Sequence, residues 1–383
     1  MRRIALPILA LIALAMAIAA AQQPSAPGQL RPRPGTGREP EFPAPKITDY
    51  KPKSTLVVPE HPVPRAKFPV VDIHGHPPAL VSAGTIQTVL DAMNTLNIQV
   101  MVQANGASGD RLKQQLDGIA ASGHTDRFAM FTSVNWGSIG PGFGARAAAQ
   151  LEADIKAGAR GLGEIGKGLG MDIKNPDGTR LKLDDPELDP VWDMAGKLNI
   201  PVFIHTGEPP AFFEPLDYRN ERWLELALFP GRRHQDGVRF DELMAERDRM
   251  MMKHPRTNFI LAHMGWHAND LGRLGKMFDK MPNLYAEVGA ILYEIGRQPR
   301  FAREFFTKYQ DRILFGKDSF QPDEYPYYWR VFETADDYFD YYRDYHAFWK
   351  LYGLDLPDLV LQKVYYRNAL KLVPGLPRAG FPK

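Results

Sequence analysis

From Phe68 onward the chain repeats one pattern: a short run of β-branched or aromatic residues, a polar or glycine turn, then an amphipathic stretch. The runs are Pro69–His76, Ile98–Asn105, Phe128–Trp136, Ala159–Gly166, Ile200–Thr206, Asn258–Met264, Asn283–Val288 and Ile313–Asp318. Helical spacing of apolar residues recurs between them, as in Thr85–Leu96, Pro186–Leu198, Asp241–Met252 and Arg300–Tyr309. Strands that alternate with helices form βαβ units and a parallel sheet. Eight such units predict an α/β fold with a single (β/α)8 TIM barrel over residues 68–383 and its active site at the carboxyl ends of the strands. An open, doubly wound sheet is the competing arrangement, but no run leads through a G-x-G-x-x-G turn into a helix.

The polar residues fall where such a barrel would place a site. Asp72, His74 and His76 share one face of the first strand, because side chains two apart point the same way. His205 ends the fifth run, His263 the sixth and Asp318 the eighth, while Glu164 lies late in the fourth. A single buried histidine is ordinarily a packed core residue. An ordered set at the ends of parallel strands is different, because those ends converge on one mouth. The chain has no cysteine, which excludes disulfides, thiolate ligands and a cysteine nucleophile. Any metal must therefore be held by imidazole and carboxylate, a donor set that suits zinc or a similar divalent ion. His61, His124, His234, His254 and His346 fall in linkers, turns or helices and read as surface or packing residues, whereas His267 lies close to the site.

The stretches VVDIHGHP, LDDPELDPVWDMAGKLNIPVFIHTGEP, HPRTNFILAHMG, PNLYAEVG and RILFGKDSF, with the closing QKVYYRNALKLVPGL, resemble the amidohydrolase superfamily. The resemblance is to its amidohydrolase-related branch, which includes aminocarboxymuconate-semialdehyde decarboxylase, and it spans everything after the linker. It implies that His74, His76, His205 and Asp318 bind a divalent metal, most often zinc, with one position open to water. It also implies that Asp318 serves as the base and that His263 polarises substrate or steadies developing negative charge. The chain departs from the branch at Lys317, where a small hydroxyl residue is common, and at Met264-Gly265-Trp266, where glycines usually follow the histidine. Trp266 should reshape the pocket, and Lys317 should neighbour the site. Trp266, Lys317 and Arg232 are the candidate substrate contacts. Binuclear relatives carry a carboxylated lysine on strand four, and TatD-type nucleases carry a glutamate in G-E-I-G. Here Glu164 stands in Gly163-Glu164-Ile165-Gly166, so it either bridges a second metal or contacts substrate or water.

The same resemblance leaves three reactions open. A hydrolase acting on a small amide, lactone or ester leads, followed by a non-oxidative decarboxylase or hydratase and then a phosphodiester hydrolase. An inactive barrel serving as a scaffold would have lost one of the expected ligands. The substrate is expected to be a small molecule, and a homo-oligomer is left open.

Before the barrel, Arg2 and Arg3 precede an apolar run from Ile4 to Ala21 that ends in small residues, the pattern of a signal peptide over residues 1–21. The expected location is secreted or periplasmic, with an uncleaved N-terminal membrane anchor facing outward as the alternative. No later run is long and apolar enough to cross a membrane. Residues 22–67 are proline-rich and poor in large apolar side chains, so they read as a tether or an arm laid over the barrel from Ile47 onward. The net charge of +2 argues against an electrostatic nucleic-acid binder. The connection from Gly207 to Arg256 is long for a βα unit, carries a helical-looking Tyr218–Phe229, and reads as a lid or rim. The aromatic run after Asp318 has helical spacing and is expected to pack on the barrel or a partner chain, with Tyr325 and Tyr327 nearest the site.

Overall fold

A computed structural model describes residues 45–382 of the 383-residue chain. The expected signal peptide lies outside the described residues. Residues 45–55 do not belong to the larger unit that begins at Leu56; they are exposed and carry one turn. No helix among the described residues is long and apolar enough to cross a membrane.

The larger unit is an α/β fold around a curled parallel sheet, consistent with a TIM barrel. Its strands are β1 (Val70–His76), β2 (Ile98–Ala107), β3 (Phe128–Thr132), β4 (Gly161–Ile165), β5 (Val202–Ile204), β6 (Phe259–Leu261), β7 (Leu284–Glu287), β8 (Ile313–Leu314) and β9 (Asp318–Ser319). They lie in the order β8-β7-β6-β5-β4-β3-β2-β1-β9. The eighth apolar run is thus one segment in two halves, the first paired to β7 and the second to β1. Between the halves, the Ile73 amide donates to the Phe315 carbonyl at 3.2 Å, so the same run borders both ends of the sheet. Strands β1, β3, β5 and β6 are buried along nearly their whole length, as expected when helices cover one face and packed side chains fill the other.

Helices fill the connections: α1 (Ala83–Leu96), α2 (Asp110–Ser122), α3 (Phe143–Ala157), α4 (Asp189–Lys197), α5 (Trp223–Leu228), α6 (Phe240–Lys253), α7 (Leu271–Lys280), α8 (Leu292–Ile295) and α9 (Pro299–Lys308). Helix α1 buries Ile86, Val89, Leu90, Met93 and Leu96, one stripe at helical spacing. Ser82 caps it by accepting from the Thr85 amide, and Asn97 ends it in the left-handed region.

The aromatic run after Asp318 is helical only over α10 (Tyr325–Glu333). Thr334 then turns the chain: its hydroxyl donates to the Arg330 carbonyl and accepts from the Asp336 amide. Side chain–backbone bonds of this kind compete with helix continuation, which spacing alone does not reveal. Part of the proline-rich arm is fastened to the same unit. The His61 amide and ring both meet the Asp336 carboxylate, and the Lys67 amide donates to Glu333.

Candidate metal centre

Strand β1 carries His74 and His76, and register pairs Gly75 with Asp318 and His76 with Ser319 across the β1–β9 seam. Glu164 lies near the end of β4. His205 follows β5 directly, its amide bonded to the Ile165 carbonyl at 2.9 Å. His263 follows β6. The fold therefore brings together all six of the residues expected to act as ligands or catalytic groups. His74 and His76 ring centres are 5.0 Å apart, His74 and His263 5.2 Å, and His205 and His263 4.5 Å.

Four ligand-type atoms converge. Glu164 Oε2 lies 3.4 Å from His74 Nε2 and 3.2 Å from His76 Nε2, and Asp318 Oδ1 lies 3.8 and 3.7 Å from the same nitrogens. Two donors each about 2.0–2.2 Å from zinc and set at a tetrahedral angle stand about 3.3–3.6 Å apart, a span that these gaps of 3.2 to 3.8 Å bracket.

Unpartnered nitrogens sharpen the fit. His74 Nδ1 lies 3.0 Å from Glu287 Oε1, so Nδ1 carries a proton and Nε2 faces the two carboxylates. His205 Nδ1 likewise meets Glu164 Oε1 at 2.7 Å. His74 Nε2 and His205 Nε2 are both buried without a hydrogen-bond partner. A buried ring nitrogen that faces carboxylates, as His74 Nε2 does, must either hold a proton or meet a cation. The donor types gathered here, imidazole and ionised carboxylate, suit a divalent metal, for which His74, His76, His205, Asp318 and Glu164 are the candidate ligands. Burial opposes charge on His74, but Glu287 and Glu164 outweigh it and hold the ring well above the ordinary histidine range. Burial would raise the Glu164 and Asp318 carboxyls, yet the histidines hold both below their usual values, so both stay ionised.

Glu287, the last residue of β7, is the functional group that sequence reasoning missed. It is fully buried, and its oxygens accept from His74 Nδ1, from the His263 amide at 2.6 Å and from the Gly289 amide at 2.5 Å. With those oxygens committed to N–H donors, it acts on the rings rather than on a metal, the usual place of a carboxylate behind a ligating histidine. The available signal was position: like His205 and His263, it is a polar residue closing a barrel strand. Gly316 makes the contact possible, since a Cβ there would come within 2.5 Å of Glu287 Oε2 and 2.6 Å of His74 Cβ.

His263, Met264, Gly265 and Trp266 all have positive φ, forming a left-handed turn after β6. Each non-glycine residue there costs about 1 kcal/mol or more. The turn is held by the Glu287 contact, by Arg247 Nη1 on the Gly265 carbonyl at 2.9 Å, and by His263 Nδ1 on the Gly289 carbonyl at 2.8 Å. A carbonyl only accepts, so Nδ1 carries the proton and neutral His263 presents a lone pair at Nε2. Burial, reinforced by His205, lowers its pKa. Trp266 stacks on His263 at 4.5 Å, with its indole N–H buried and unpartnered.

The other two expected substrate contacts are spent elsewhere. Lys317 is buried, its ammonium bonded to Glu324 and to the Ser319 carbonyl, and Arg232 pairs with Glu225. Neither partner belongs to the histidine cluster. The long connection after β5 packs Phe212 and Leu226 inward and borders a cavity of about 420 Å³ lined by Phe213, His234, Phe240, His267 and Arg273.

Fold and cluster together define an α/β enzyme with imidazoles and carboxylates gathered at the carboxyl ends of a parallel sheet. The family model described as amidohydrolase matches residues 71–375, and the chain belongs to that family. It is thus an enzyme of the amidohydrolase superfamily. No curated protein matches the sequence. Among solved structures, an uncharacterized TIM-barrel protein from Bordetella bronchiseptica is 16% identical, with 79% of this chain and 98% of that one covered and a TM-score of 0.48. A 4-oxalomesaconate hydratase from Rhodopseudomonas palustris is 16% identical over 80% and 95%, with a TM-score of 0.45. A 5-carboxyvanillate decarboxylase from Sphingomonas paucimobilis is 16% identical over 74% and 81%, with a TM-score of 0.43.

Proposed function

We propose that this enzyme is a metal-dependent hydrolase of small carbonyl compounds (amides, lactones or esters), with zinc as the metal. The observation that carries the reading is the buried, unpartnered Nε2 of His74 set between two ionised carboxylates, with a second buried, unpartnered Nε2 on His205. A divalent ion held there would polarise a carbonyl and acidify water. Asp318, the most exposed of the cluster's carboxylates and one bordered by histidines, takes the proton of the attacking water and returns it to the leaving group. His263, its Nδ1–H held by the Gly289 carbonyl, takes a proton from solvent at Nε2 before substrate binds; as an imidazolium it steadies negative charge on the substrate oxygen and gives that proton back to solvent when product leaves. Trp266 walls the site beside it and keeps bulk water from the ring. Residues 68–383 close into a (β/α)8 barrel behind a signal peptide and a proline-rich arm.

The reaction class is tested with purified, zinc-loaded protein on panels of small esters, lactones, amides and aromatic acids. Hydrolysis that disappears in Asp318→Asn supports the reading. Carbon dioxide release or hydration without any hydrolysis would replace it with the lyase alternative. Decarboxylation needs a cationic clamp on the departing carboxylate. Arg232 is committed to Glu225, which favours hydrolysis. We further propose that the protein works outside the cytoplasm, because Arg2-Arg3 and the apolar run have the form of an export signal. Fractionation should recover a chain beginning near Gln22 from the periplasm or medium, and a full-length cytosolic product would refute this.

A further inference from the structure

We infer that Asp72 is a positioning residue that holds the two strands bearing His74 and Asp318 in register. This rests on the reading of His74 and Asp318 as metal ligands. The seam between β1 and the eighth run lacks a regular ladder where the run breaks between Leu314 and Asp318. Two backbone N–H groups there, those of His74 and Lys317, meet a side chain rather than a strand carbonyl. Asp72 Oδ1 accepts both, from His74 at 3.0 Å and from Lys317 at 3.2 Å. One side-chain oxygen thus stands in for a missing rung, and buried amides require such a partner. The second oxygen, Oδ2, accepts from the Tyr325 hydroxyl at 2.7 Å. That bond fixes the carboxylate plane and ties it to α10. Asp72 and Tyr325 are both fully buried, so water does not compete for these bonds.

The clamp acts next to strain. Asp318 has φ of 80°, in the left-handed region that a residue with a Cβ avoids. Its backbone keeps that conformation because the preceding amide is pinned by Asp72, the Lys317 side chain is bonded to Glu324, and the following residue pairs with His76. Releasing the Lys317 amide would let Asp318 relax and its Oδ1 drift from the imidazoles.

The chemistry separates geometry from charge. Asparagine at position 72 keeps an oxygen for both amides and offers its NH2 to the Tyr325 oxygen, whereas alanine keeps nothing. The experiment compares wild-type protein with Asp72→Ala, Asp72→Asn and Tyr325→Phe in two measurements. One is zinc affinity by competition with a fluorescent chelator; the other is amide hydrogen exchange of the segment around Lys317 in metal-free protein. Asp72→Ala should lose roughly 10- to 100-fold in zinc affinity, with Tyr325→Phe intermediate and Asp72→Asn within about threefold of wild type. Exchange around Lys317 should accelerate in the same order. A residue that only stabilised the fold would lower thermal stability without changing the affinity of the folded fraction. Asp72→Asn as weak as Asp72→Ala, or unchanged exchange in Tyr325→Phe and Asp72→Ala, would overturn the inference. Should Asp72→Ala fail to fold, the Asp72→Asn and Tyr325→Phe pair decides by the same criteria. Wild-type protein that binds no zinc removes the metal reading, and the exchange measurement still judges the clamp separately.

Discussion

Glu287 Oε1 stands 3.0 Å from His74 Nδ1, a buried carboxylate behind a buried imidazole, and the contact fixes which nitrogen of His74 faces the site. Removing it frees the ring to rotate and to change tautomer. Glu287→Ala should therefore lower zinc affinity roughly 10- to 100-fold, and Glu287→Gln less, because the amide oxygen still accepts from the ring. Chelator competition measures both. Equal affinity in Glu287→Ala would show that His74 needs no outer partner.

Glu164 and His205 are coupled by the 2.7 Å bond between Oε1 and Nδ1, while Oε2 of the same carboxylate faces His74 and His76. Their effects on metal binding should not add. A double-mutant cycle of Glu164→Gln and His205→Gln should give a coupling of roughly 0.5–3 kcal/mol, read from zinc affinities. Metal analysis of the same samples decides the count: if Glu164 bridges a second ion, wild-type protein holds two per chain and Glu164→Ala one. Full additivity in the cycle would mean that Glu164 contacts substrate or water instead.

His263 is set apart from the ligands by its bond to the Gly289 carbonyl and its stack on Trp266. His263→Ala should keep the metal while kcat falls roughly 10²- to 10³-fold. Loss of metal in that variant would make His263 a ligand.

Away from the centre, Glu225 is almost wholly buried among Arg222, Arg232 and His346. Burial would raise its carboxyl, but His346 and Arg222 pull it down to about 2 from an ordinary 4.5. A depressed carboxylate adds stability that is complete above the unfolded value and is lost as pH falls through the folded one. Wild-type protein should lose on the order of 3 kcal/mol through this group as pH drops from 4.5 to 2. Urea unfolding across that window should show a shallower acid limb in Glu225→Gln, which starts less stable at pH 7. Parallel acid limbs in the two proteins would refute the assignment.

Much of this arrangement was legible in the sequence. The ligand candidates stand at strand ends, and period-two alternation placed His74 and His76 on one face without any tertiary knowledge. The division of the eighth run between two neighbours was not legible, since Ile313–Asp318 reads as one apolar strand and only pairing divides it. Glu287 was passed over because a carboxylate after YA looks like a solvated strand end until the Gly316 gap lets it reach His74. Lys317 and Arg232 read as substrate contacts because their partners, Glu324 and Glu225, lie in connections whose path periodicity does not fix.

The seam that joins β1 to β9 pairs the first strand of the sheet with the last. A ribosome delivers His74 and His76 early and Asp318 only after all the intervening units have emerged. Until then the growing chain holds imidazoles without the carboxylate of Asp318, so the proposed metal centre would be completed only late in translation. Any product cut short before Asp318 carries most of the donors and none of the closed site.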